Sequence, residues 1–395
     1  MRSTDRVWKA AAIGACAVVL AAGCTGSNKT TTRNEAGTGP ADAQVAITPA
    51  KGASKVRPDK GVLVKATGGK LDTVSVTTGG KQVPGTFSAD RTSWRSTWTL
   101  KPSASYQVSA TAKNPAGKPA QAQSAFKTLK PDETVSASLD YILEGNLDDT
   151  YGVGTPIILN FDREIFNKAE VEKALEVKAE KPVEGAWRWL GNQQVIYRTK
   201  KYWPAHQKVT VTAHMAGVRA AKGVYGVKDF TRTLEIGASR ISRLNLKSHK
   251  MTVTVDGKRV RKVPISAGNG TTTEYTTTSG THLTMEKGNP VRMISPGRKK
   301  GDPGYYDLMI NYAVRISWSG EYLHQTSGEE YCLGRQNCSH GCVRQPAKDA
   351  QWFYKTVQPG DIVDITGSDR GLDWQNGWSY WELPWEKWKK GSALA

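Results

Sequence analysis

The feature that most constrains the fold is a pattern of short alternating strands that recurs in two successive regions. In each region an aromatic run and a Pro turn precede an alternating run, over residues 106–112 in the first and 209–213 in the second. Alternation with a period of two is typical of strands that bury one face. Repeated units of roughly 100 residues with this pattern predict two immunoglobulin-like sandwiches in tandem.

A third β-rich region follows residue 237 and opens with a hairpin signal. Two alternating runs, 251–255 and 258–265, flank Asp256-Gly257. An Asp-Gly pair favours a two-residue hairpin turn because both positions tolerate positive φ. Helices are predicted over residues 167–177 and 347–357. The chain is therefore expected to be mainly β.

Reactive side chains are concentrated in the third region, ahead of its helix. Residues 339–344 read Ser-His-Gly-Cys-Val-Arg, and His324 lies fifteen positions before that segment. A cysteine with a histidine elsewhere in the chain is what covalent thiol catalysis needs, since the thiolate attacks and the imidazole takes and returns the proton. An isolated cysteine is more often a small buried hydrophobe. Cys342 departs from that expectation because an apolar core would not contain its polar and charged neighbours.

His324, the fifteen-residue step to Ser339 and the run Ser-His-Gly-Cys-Val-Arg resemble the signature of the L,D-transpeptidase (YkuD-type) catalytic domain. The flanking segments 241–266 and 351–365 resemble the same family. Its actinobacterial members carry immunoglobulin-like domains before the catalytic one, and the second region here resembles theirs. The resemblance implies a mainly β fold, with two tandem immunoglobulin-like β-sandwiches followed by a β-rich catalytic domain that has a short helix after the catalytic cysteine.

The resemblance also implies a role for each residue of the motif. Cys342 would be the nucleophile and His324 the general base. The backbone amides of His340, Gly341 and Cys342 would stabilise an oxyanion. Arg344 would bind a carboxylate of the peptide stem, and a structural salt bridge is the equally supported alternative. Four more side chains are expected on the substrate side of the cleft, the aromatic ones with a place in the core as their alternative: Ser339, Tyr306, Tyr312 and Trp318.

Two neighbouring positions qualify this assignment. In many family members a serine follows the base and orients it through its backbone carbonyl, whereas this chain has Gln325. A carbonyl does not depend on the side chain, so the role can persist. His282 lies in a strand that resembles the family's strand of that region, and no catalytic part is assigned to it.

The activity that the resemblance implies is the formation of 3-3 cross-links in peptidoglycan. A tetrapeptide stem would be the donor and a neighbouring stem the acceptor, with a thioester intermediate and no metal or organic cofactor. Carbapenems would acylate the same thiol. Two alternatives stay open. An L,D-carboxypeptidase of the same fold would pass the acyl group to water, and a non-catalytic cell-wall-binding lipoprotein would carry a vestigial site.

The N-terminus predicts export and anchoring. Basic residues precede an apolar run over residues 10–22, which ends just before Cys24. This is typical of a secretory signal peptide, and the small residues before Cys24 resemble a bacterial lipobox. The expected product is a lipoprotein anchored through lipidated Cys24 to the outer face of the plasma membrane. Ordinary cleavage, which would leave Cys24 as an odd thiol, is the alternative.

Two further cysteines, Cys332 and Cys338, lie between His324 and Cys342. Outside the cytosol they can form a small disulfide that holds this loop. A zinc site is the alternative, because Cys338, His340 and Cys342 offer soft ligands. Structural zinc usually has paired cysteine knuckles, and one gap of that kind is present here. The disulfide is therefore favoured.

Tryptophan dominates the C-terminal tail, residues 369–395. Its spacing follows steps of four and three at five positions: Trp374, Trp378, Trp381, Trp385 and Trp388. That is the spacing of one helical face, although Pro384 predicts two short segments rather than one helix. Large aromatics at this spacing usually bury themselves. The tail is expected to dock on the second sandwich near Trp187, Trp189 and Trp203, and a wall-sugar platform is the alternative.

The predicted organisation has six parts. They are a signal peptide (1–23), a lipidated flexible tether (24–45), two immunoglobulin-like domains (46–130 and 131–237), the catalytic domain (238–368) and the tail (369–395). The formal net charge of +19 is spread over every part without an aromatic-interleaved stripe, so no nucleic-acid partner is expected. A basic surface can instead attract the protein to an anionic cell wall.

Overall fold

The computed structural model describes residues 41–146 and 150–395. The predicted signal peptide, Cys24 and the tether up to residue 40 lie outside the described residues. At its described end the predicted tether is too long, because the first strand begins at Gln44 and Ala43 is buried. Pairing with the next strand orders these residues, with Gln44 opposite Thr67. Within the described ranges no helix has the length and apolar character needed to cross a bilayer.

The first β-rich region folds into two four-stranded sheets. Its strands are β1 (Gln44–Thr48), β2 (Leu63–Thr67), β3 (Lys70–Thr78), β4 (Lys81–Gln82), β5 (Gly85–Phe87), β6 (Ser93–Ser96), β7 (Ser105–Lys113) and β8 (Pro119–Lys127). One sheet has the order β1-β2-β6-β5 and the other β4-β3-β7-β8. The alternating run predicted over 106–112 lies in β7, where Tyr106, Val108 and Ala110 are buried. These residues form a core of the first sandwich together with Trp94 and Phe126.

The second region is also a pair of four-stranded sheets, with a small three-stranded sheet beside them. Its strands are β9 (Glu133–Val135), β10 (Ala137–Leu139), β11 (Thr150–Tyr151), β12 (Ile157–Phe161), β13 (Leu175–Ala179), β14 (Gly185–Leu190), β15 (Gln194–Thr199), β16 (Gln207–Ala213), β17 (Arg219–Ala221), β18 (Val224–Gly226) and β19 (Phe230–Ile236). The sheets have the orders β10-β12-β15-β14, β11-β19-β16-β13 and β17-β18-β9. Helix α1 spans Tyr141–Glu144 and α2 spans Lys168–Lys173.

The helix predicted over 167–177 is therefore too long. It ends at Lys173, and Leu175 already begins β13, which pairs with β16. Leu175 is opposite Ala213 and Val177 is opposite Val211. Pairing in the sheet buries these alternate side chains against the sandwich, which overrides the helical spacing of the segment.

The third region carries the reactive residues. Its strands are β20 (Arg240–Asn245), β21 (Lys250–Val255), β22 (Lys258–Pro264), β23 (Gly280–Leu283), β24 (Lys287–Gly288), β25 (Val291–Ile294), β26 (Asp307–Ile310), β27 (Ala313–Arg315), β28 (Tyr322–Gln325), β29 (Val343–Gln345) and β30 (Ile362–Thr366). They form sheets of order β22-β21-β20-β30-β23, β24-β27-β28-β29 and β25-β26. The predicted turn joins β21 and β22, with φ of 49° at Asp256 and 77° at Gly257. Helix α3 spans Ala347–Thr356 and follows β29.

The prediction of two immunoglobulin-like sandwiches before a β-rich third domain is confirmed. The tail forms a 3-10 helix at Tyr380–Glu382 and helix α4 at Trp385–Lys389, on either side of Pro384. Trp378 and Trp388 are fully buried and share one core with Trp187, Trp189 and Trp203 of the second sandwich. The Nε1–H group of Trp388 donates to the carbonyl oxygen of Ala186 at 2.9 Å. The tail thus packs against the second sandwich.

Candidate active site

Two adjacent parallel strands bring the cysteine and the buried histidine together. In the pairing of β28 with β29, Leu323 lies opposite Val343 and His324 lies opposite Arg344. Because side chains alternate along a strand, Cys342, which directly precedes β29, lies on the same face as His324. Both residues line a cavity of about 630 Å³. Strand pairing therefore makes one site from residues that are distant in sequence.

His324 is held as a neutral base. It is only 4% exposed, and its Nδ1 lies 2.6 Å from the backbone carbonyl oxygen of Gln325. A carbonyl can only accept, so Nδ1 carries the proton and Nε2 keeps its lone pair. Burial lowers the pKa of His324 to about 4, the hydrogen bond to Gln325 opposes this, and the charge of Arg344 adds to it. The backbone carbonyl at Gln325 thus has the contact predicted for it.

Cys342 is the free cysteine of the described residues and is half-buried. Its thiol donates to the carbonyl oxygen of Gly320 at 3.5 Å. Burial raises the pKa of the Cys342 thiol to about 12, the backbone N–H of Tyr322 lowers it, and the charge of Glu321 raises it. At neutral pH the thiol and the His324 imidazole are therefore both uncharged, so proton transfer has to accompany attack.

The loop before the cysteine is held together by Ser339. Its hydroxyl donates to the carbonyl oxygen of Cys342 at 2.5 Å and accepts from the backbone N–H of Gly341 at 3.1 Å. Gly341 has φ +125°, a conformation that favours glycine. Ser339 lines the cavity, but it is 2% exposed and its hydroxyl is engaged within the loop, so its contact with a substrate stays a prediction. The Gly341 amide already donates to the Ser339 hydroxyl. Of the three backbone amides predicted to stabilise an oxyanion, those of His340 and Cys342 remain as candidates.

Arg344 lines the cavity but is not free within it. Its guanidinium forms an ion pair with Glu329, and its side chain is 13% exposed. Burial lowers the pKa of Arg344. Arg344 is therefore already paired in a structural salt bridge. A stem-peptide carboxylate would have to compete with Glu329 for the guanidinium.

One of the three aromatic residues expected in the cleft lies there. Tyr306 lines the cavity and stacks on the ring of His340, with centroids 5.2 Å apart. Tyr275 packs edge-on against His340, with centroids 4.5 Å apart. His340 thus stands in an aromatic wall at the rim of the cavity, and burial lowers its pKa.

Tyr312 and Trp318 lie outside the cavity lining, which corrects the prediction for both. The Tyr312 hydroxyl accepts from the side-chain amide of Gln351 in α3 at 2.9 Å. Trp318 is 37% exposed, and the Arg315 guanidinium lies 5.0 Å from its ring centroid. Tyr312 is held by a tertiary contact with α3, whereas Trp318 contacts a residue three positions before it.

Sequence reasoning missed two tyrosines of the cavity, Tyr275 and Tyr322. Tyr322 precedes His324 by two positions on β28, so strand alternation was a signal that could have found it. Tyr275 comes from the loop before β23 and has no such signal. Its loop is tied across the cavity rim by Arg298, which donates twice to the Glu274 carboxylate at 2.7 and 2.8 Å.

Cys332 and Cys338 form a disulfide, with Cα atoms 6.3 Å apart. The bonded sulfurs are not thiolates, which is the form that zinc requires. In residues 41–146 and 150–395 no group of three or more His, Cys, Asp or Glu side chains could hold a metal ion. The disulfide instead ties together the loop between β28 and the cysteine.

Comparison with known proteins follows the same division of the chain. Residues 239–365 match the family model of the L,D-transpeptidase catalytic domain, and residues 53–219 match that of a bacterial Ig domain. The chain is 31% identical over 353 residues to L,D-transpeptidase 5 of Mycobacterium tuberculosis, covering 88% of this chain and 76% of the relative. It is 31% identical over 348 residues to L,D-transpeptidase 2 of that species, covering 87% and 83%. A crystal structure of L,D-transpeptidase 3 from Mycobacterium tuberculosis with a faropenem-derived adduct is 29% identical, with a TM-score of 0.46, over 55% of this chain and 94% of that chain.

Proposed function

The chain belongs to the L,D-transpeptidase family, and on that premise we propose that it forms 3-3 cross-links between peptidoglycan stems through a thioester on Cys342. One observation carries the proposal. A neutral imidazole, oriented by the Gln325 carbonyl, shares a cavity and a strand face with the thiol. That is the arrangement in which a base removes the thiol proton as the sulfur attacks.

The first half of the cycle acylates the enzyme. Nε2 of His324 takes the thiol proton while Sγ of Cys342 attacks the carbonyl that follows the third residue of a tetrapeptide donor stem. In this proposal the amides of His340 and Cys342 donate to the resulting oxyanion. As the tetrahedral species collapses, the terminal D-residue leaves with the proton from His324. A thioester remains on the enzyme.

The second half transfers the acyl group. The side-chain amine of the third residue of an acceptor stem attacks the thioester carbonyl, and Nε2 of His324 accepts its proton. Collapse returns that proton to the departing Cys342 sulfur, so the resting thiol and the neutral base are restored. The product is an amide between the third residues of two stems. No cofactor takes part in this sequence.

Incubation of the purified protein with disaccharide-tetrapeptide tests the proposal. Mass spectrometry should detect cross-linked dimers with the loss of one D-residue per bond, and a carbapenem should add its mass to the protein. Cys342→Ala should abolish both while leaving the circular dichroism spectrum unchanged. Cross-linking that persists in the Cys342→Ala protein would refute the thiol mechanism. Tripeptide as the main product would favour the L,D-carboxypeptidase alternative.

The pH dependence of acylation tests the role of His324. Because its pKa is lowered to about 4, the base should stay active well below the ordinary histidine pKa near 6.5. The second-order rate constant for carbapenem acylation should therefore fall only as pH approaches 4. His324→Ala should lower the rate by about 10²-fold or more. An acid limb centred near pH 6.5 would contradict the buried neutral base.

We further propose that the enzyme is a lipoprotein held at the outer face of the plasma membrane through Cys24. The N-terminal sequence supports this location, and the acceptor and donor stems are found on the same side. Mass spectrometry of the N-terminal peptide should detect a diacylglycerol on Cys24. Cys24→Ser should release active protein from the membrane fraction, whereas retention of that variant at the membrane would count against the anchor.

A further inference from the structure

The segment beside the Cys342 thiol is held in place by a cluster of buried side chains. Residues 320–322 flank Cys342, since the thiol donates to the Gly320 carbonyl oxygen at 3.5 Å and the Tyr322 backbone N–H faces the sulfur. Between those two residues lies Glu321, which is 4% exposed. A buried carboxylate is costly unless it is paired and hydrogen-bonded. Its partners therefore indicate what it does.

Glu321 belongs to a closed cluster with Thr278 and His282. Its carboxylate accepts from the backbone N–H and from the hydroxyl of Thr278, both at 2.7 Å. The Nε2 atom of His282 lies 2.8 Å from the Thr278 hydroxyl oxygen and 3.6 Å from the Glu321 carboxylate. His282 is fully buried, and the backbone N–H of Glu321 donates to the hydroxyl of Ser317 at 3.0 Å. Every member of the cluster is thus engaged.

One hydroxyl links the imidazole ring to the carboxylate. Nδ1 of His282 lies 3.1 Å from the carbonyl oxygen of Gly280, which can only accept, so Nδ1 carries a proton. The Thr278 hydroxyl donates to the Glu321 carboxylate, and its oxygen lies within hydrogen-bond distance of Nε2 of His282. Burial opposes ionisation of Glu321, but the hydrogen bond and charge of His282 keep its pKa lowered.

Thr277, the residue before Thr278, hydrogen-bonds to the loop on the other side of Cys342. The Thr277 hydroxyl donates to the carbonyl oxygen of Gly341 at 2.6 Å and accepts from the backbone N–H of Gly268 at 2.8 Å. Two consecutive threonines therefore hold both flanks of the thiol. Thr277 fixes the loop that precedes Cys342, and Thr278 fixes the strand that carries His324.

We propose that the buried His282–Thr278–Glu321 cluster is a positioning device for the proposed reaction. It holds residues 320–322, which lead into β28, against Cys342, so that the thiol and the His324 imidazole stay aligned for attack. Glu321 lines the cavity, but the hydrogen bonds of the cluster join its members to one another and to the backbone rather than to the thiol or the His324 ring. The inference rests on the proposed acylation of Cys342. Removing one partner of a buried charged group is costly, so such a hydrogen-bonded cluster is well suited to fix one geometry.

The first test separates rate from affinity in acylation by imipenem, measured over a range of imipenem concentrations. Glu321→Gln keeps the shape of the side chain and removes its charge. We expect the limiting acylation rate constant to fall by about 10–100-fold, as for small misplacements of reacting groups, with apparent affinity within twofold. Glu382→Gln is the matched control, because that carboxylate also accepts from a backbone amide of this region, Thr281 N–H at 2.6 Å, but belongs to the tail and lies outside the cavity lining.

The control should acylate at the parent rate. The inference is overturned if Glu321→Gln acylates within twofold of the parent, if its loss is in affinity with the rate intact, or if the control loses as much. Parent protein that imipenem does not acylate would instead defeat the proposed function itself, so the two failures are distinguishable.

The second test covers the case in which Glu321→Gln does not fold. Thr278→Val removes the bridging hydroxyl at nearly constant volume, and Thr278→Ser keeps the hydroxyl while losing a methyl group. A positioning role predicts that Thr278→Ser acylates within about threefold of the parent and that Thr278→Val is at least tenfold slower at similar affinity. Equal rates for the two variants would overturn the inference.

Discussion

The two sandwiches share a strand pattern but differ in how they join the rest of the molecule. The first keeps a core cluster of its own. Where it meets the second, Trp98 stacks on His214 with ring centroids 3.7 Å apart, and the Thr99 hydroxyl donates to the Ala216 carbonyl oxygen at 2.6 Å. The backbones also pack closely there, since a Cβ at Gly217 would lie 1.9 Å from the Leu100 carbonyl oxygen.

The catalytic domain keeps one core of its own, which includes Val253, Val343 and Phe353. The second sandwich, by contrast, has a core that extends into the catalytic domain. Its buried residues form one cluster with Leu283, Met285 and Ile362 of that domain and with the tail tryptophans. The backbones are also joined, since the N–H of Gly152 donates to the carbonyl oxygen of Pro359 at 2.8 Å. The tail then covers the same sandwich.

Arg198 shows how closely the tail is built into the second sandwich. This side chain is 3% exposed and donates to the carbonyl oxygens of Tyr380 at 2.5 Å and Leu383 at 3.0 Å. Its guanidinium also faces the ring of Trp388 at 4.9 Å. The two sandwiches thus differ in that the core of the second extends into the catalytic domain and the tail. We therefore expect the second sandwich, catalytic domain and tail to unfold as one unit, with the first sandwich acting as a spacer.

Ending the chain at Gly371 should cause the largest loss of stability. The truncation removes Trp378 and Trp388, both fully buried, and leaves Arg198 without its carbonyl partners. Each such indole is worth about 3–5 kcal/mol, which together approaches the whole stability of a typical domain. Calorimetry should find the transition of the second sandwich and catalytic domain lowered or lost, with that of the first sandwich unchanged. A truncated protein that melts unchanged but binds purified wall more weakly would make the tail a binding platform instead.

Trp388→Ala tests the same contact at one residue. The indole is fully buried between the tail and β14, so the free energy of unfolding should fall by about 3–5 kcal/mol. Urea unfolding followed by circular dichroism measures this. Trp318→Ala is the control, since that ring is exposed and its loss should cost less than about 0.5 kcal/mol. Equal losses would show that the tail is not part of the unit.

Gly152→Ala probes the backbone junction. A Cβ atom there would lie 2.1 Å from the backbone nitrogen of Asp361, so the sandwich and the catalytic domain would have to separate locally. We expect a loss of about 1–3 kcal/mol, as for overpacked interiors. Gly371→Ala, where a Cβ would meet nothing within 4 Å, is the matched control. Similar melting of both variants would mean that the two domains are not tightly joined.

Trp98→Ala should cause the smallest loss of stability. Its stack on His214 is worth about 0.5–1.5 kcal/mol, and the loss should loosen only the first sandwich. Small-angle scattering should record a broader range of domain arrangements, while the melting of the catalytic unit and the rate of imipenem acylation stay at the parent values. A fall in either would contradict the view that the first sandwich is a spacer.

Sequence patterns predicted the local features whose cause is local. The Asp256-Gly257 turn has positive φ at both positions, and the helix expected after the cysteine spans Ala347–Thr356. The helix expected over 167–177 ends before Leu175, because residues 175–179 pair with β16 instead. A two-residue turn depends on its own dihedral angles, whereas the choice between helix and strand depends on which partner buries the side chain.

The features of the candidate site also divide into those that the sequence identified and those that only the tertiary structure revealed. Cys342 was found from residue type and from its polar neighbours, and His324 was assigned as the base because its distance from the cysteine segment resembles the family motif. The partner of Arg344 was not decided by sequence, and neither was the pairing of Glu321 with His282. Those contacts join residues from separate loops and strands, and no periodicity within one segment encodes them.

The sequence by itself determined the chemistry of the site, the hairpin turn and the β character of the chain, since these depend on residue type and short-range spacing. Only the tertiary structure decided that the second sandwich, rather than the first, is fused to the catalytic domain. Both sandwiches alternate alike along their strands. Which one shares a core depends on side chains such as Ile362 and Trp388, which meet it only after the sheets and the tail have packed, because burial of apolar surface is a property of the assembled layers.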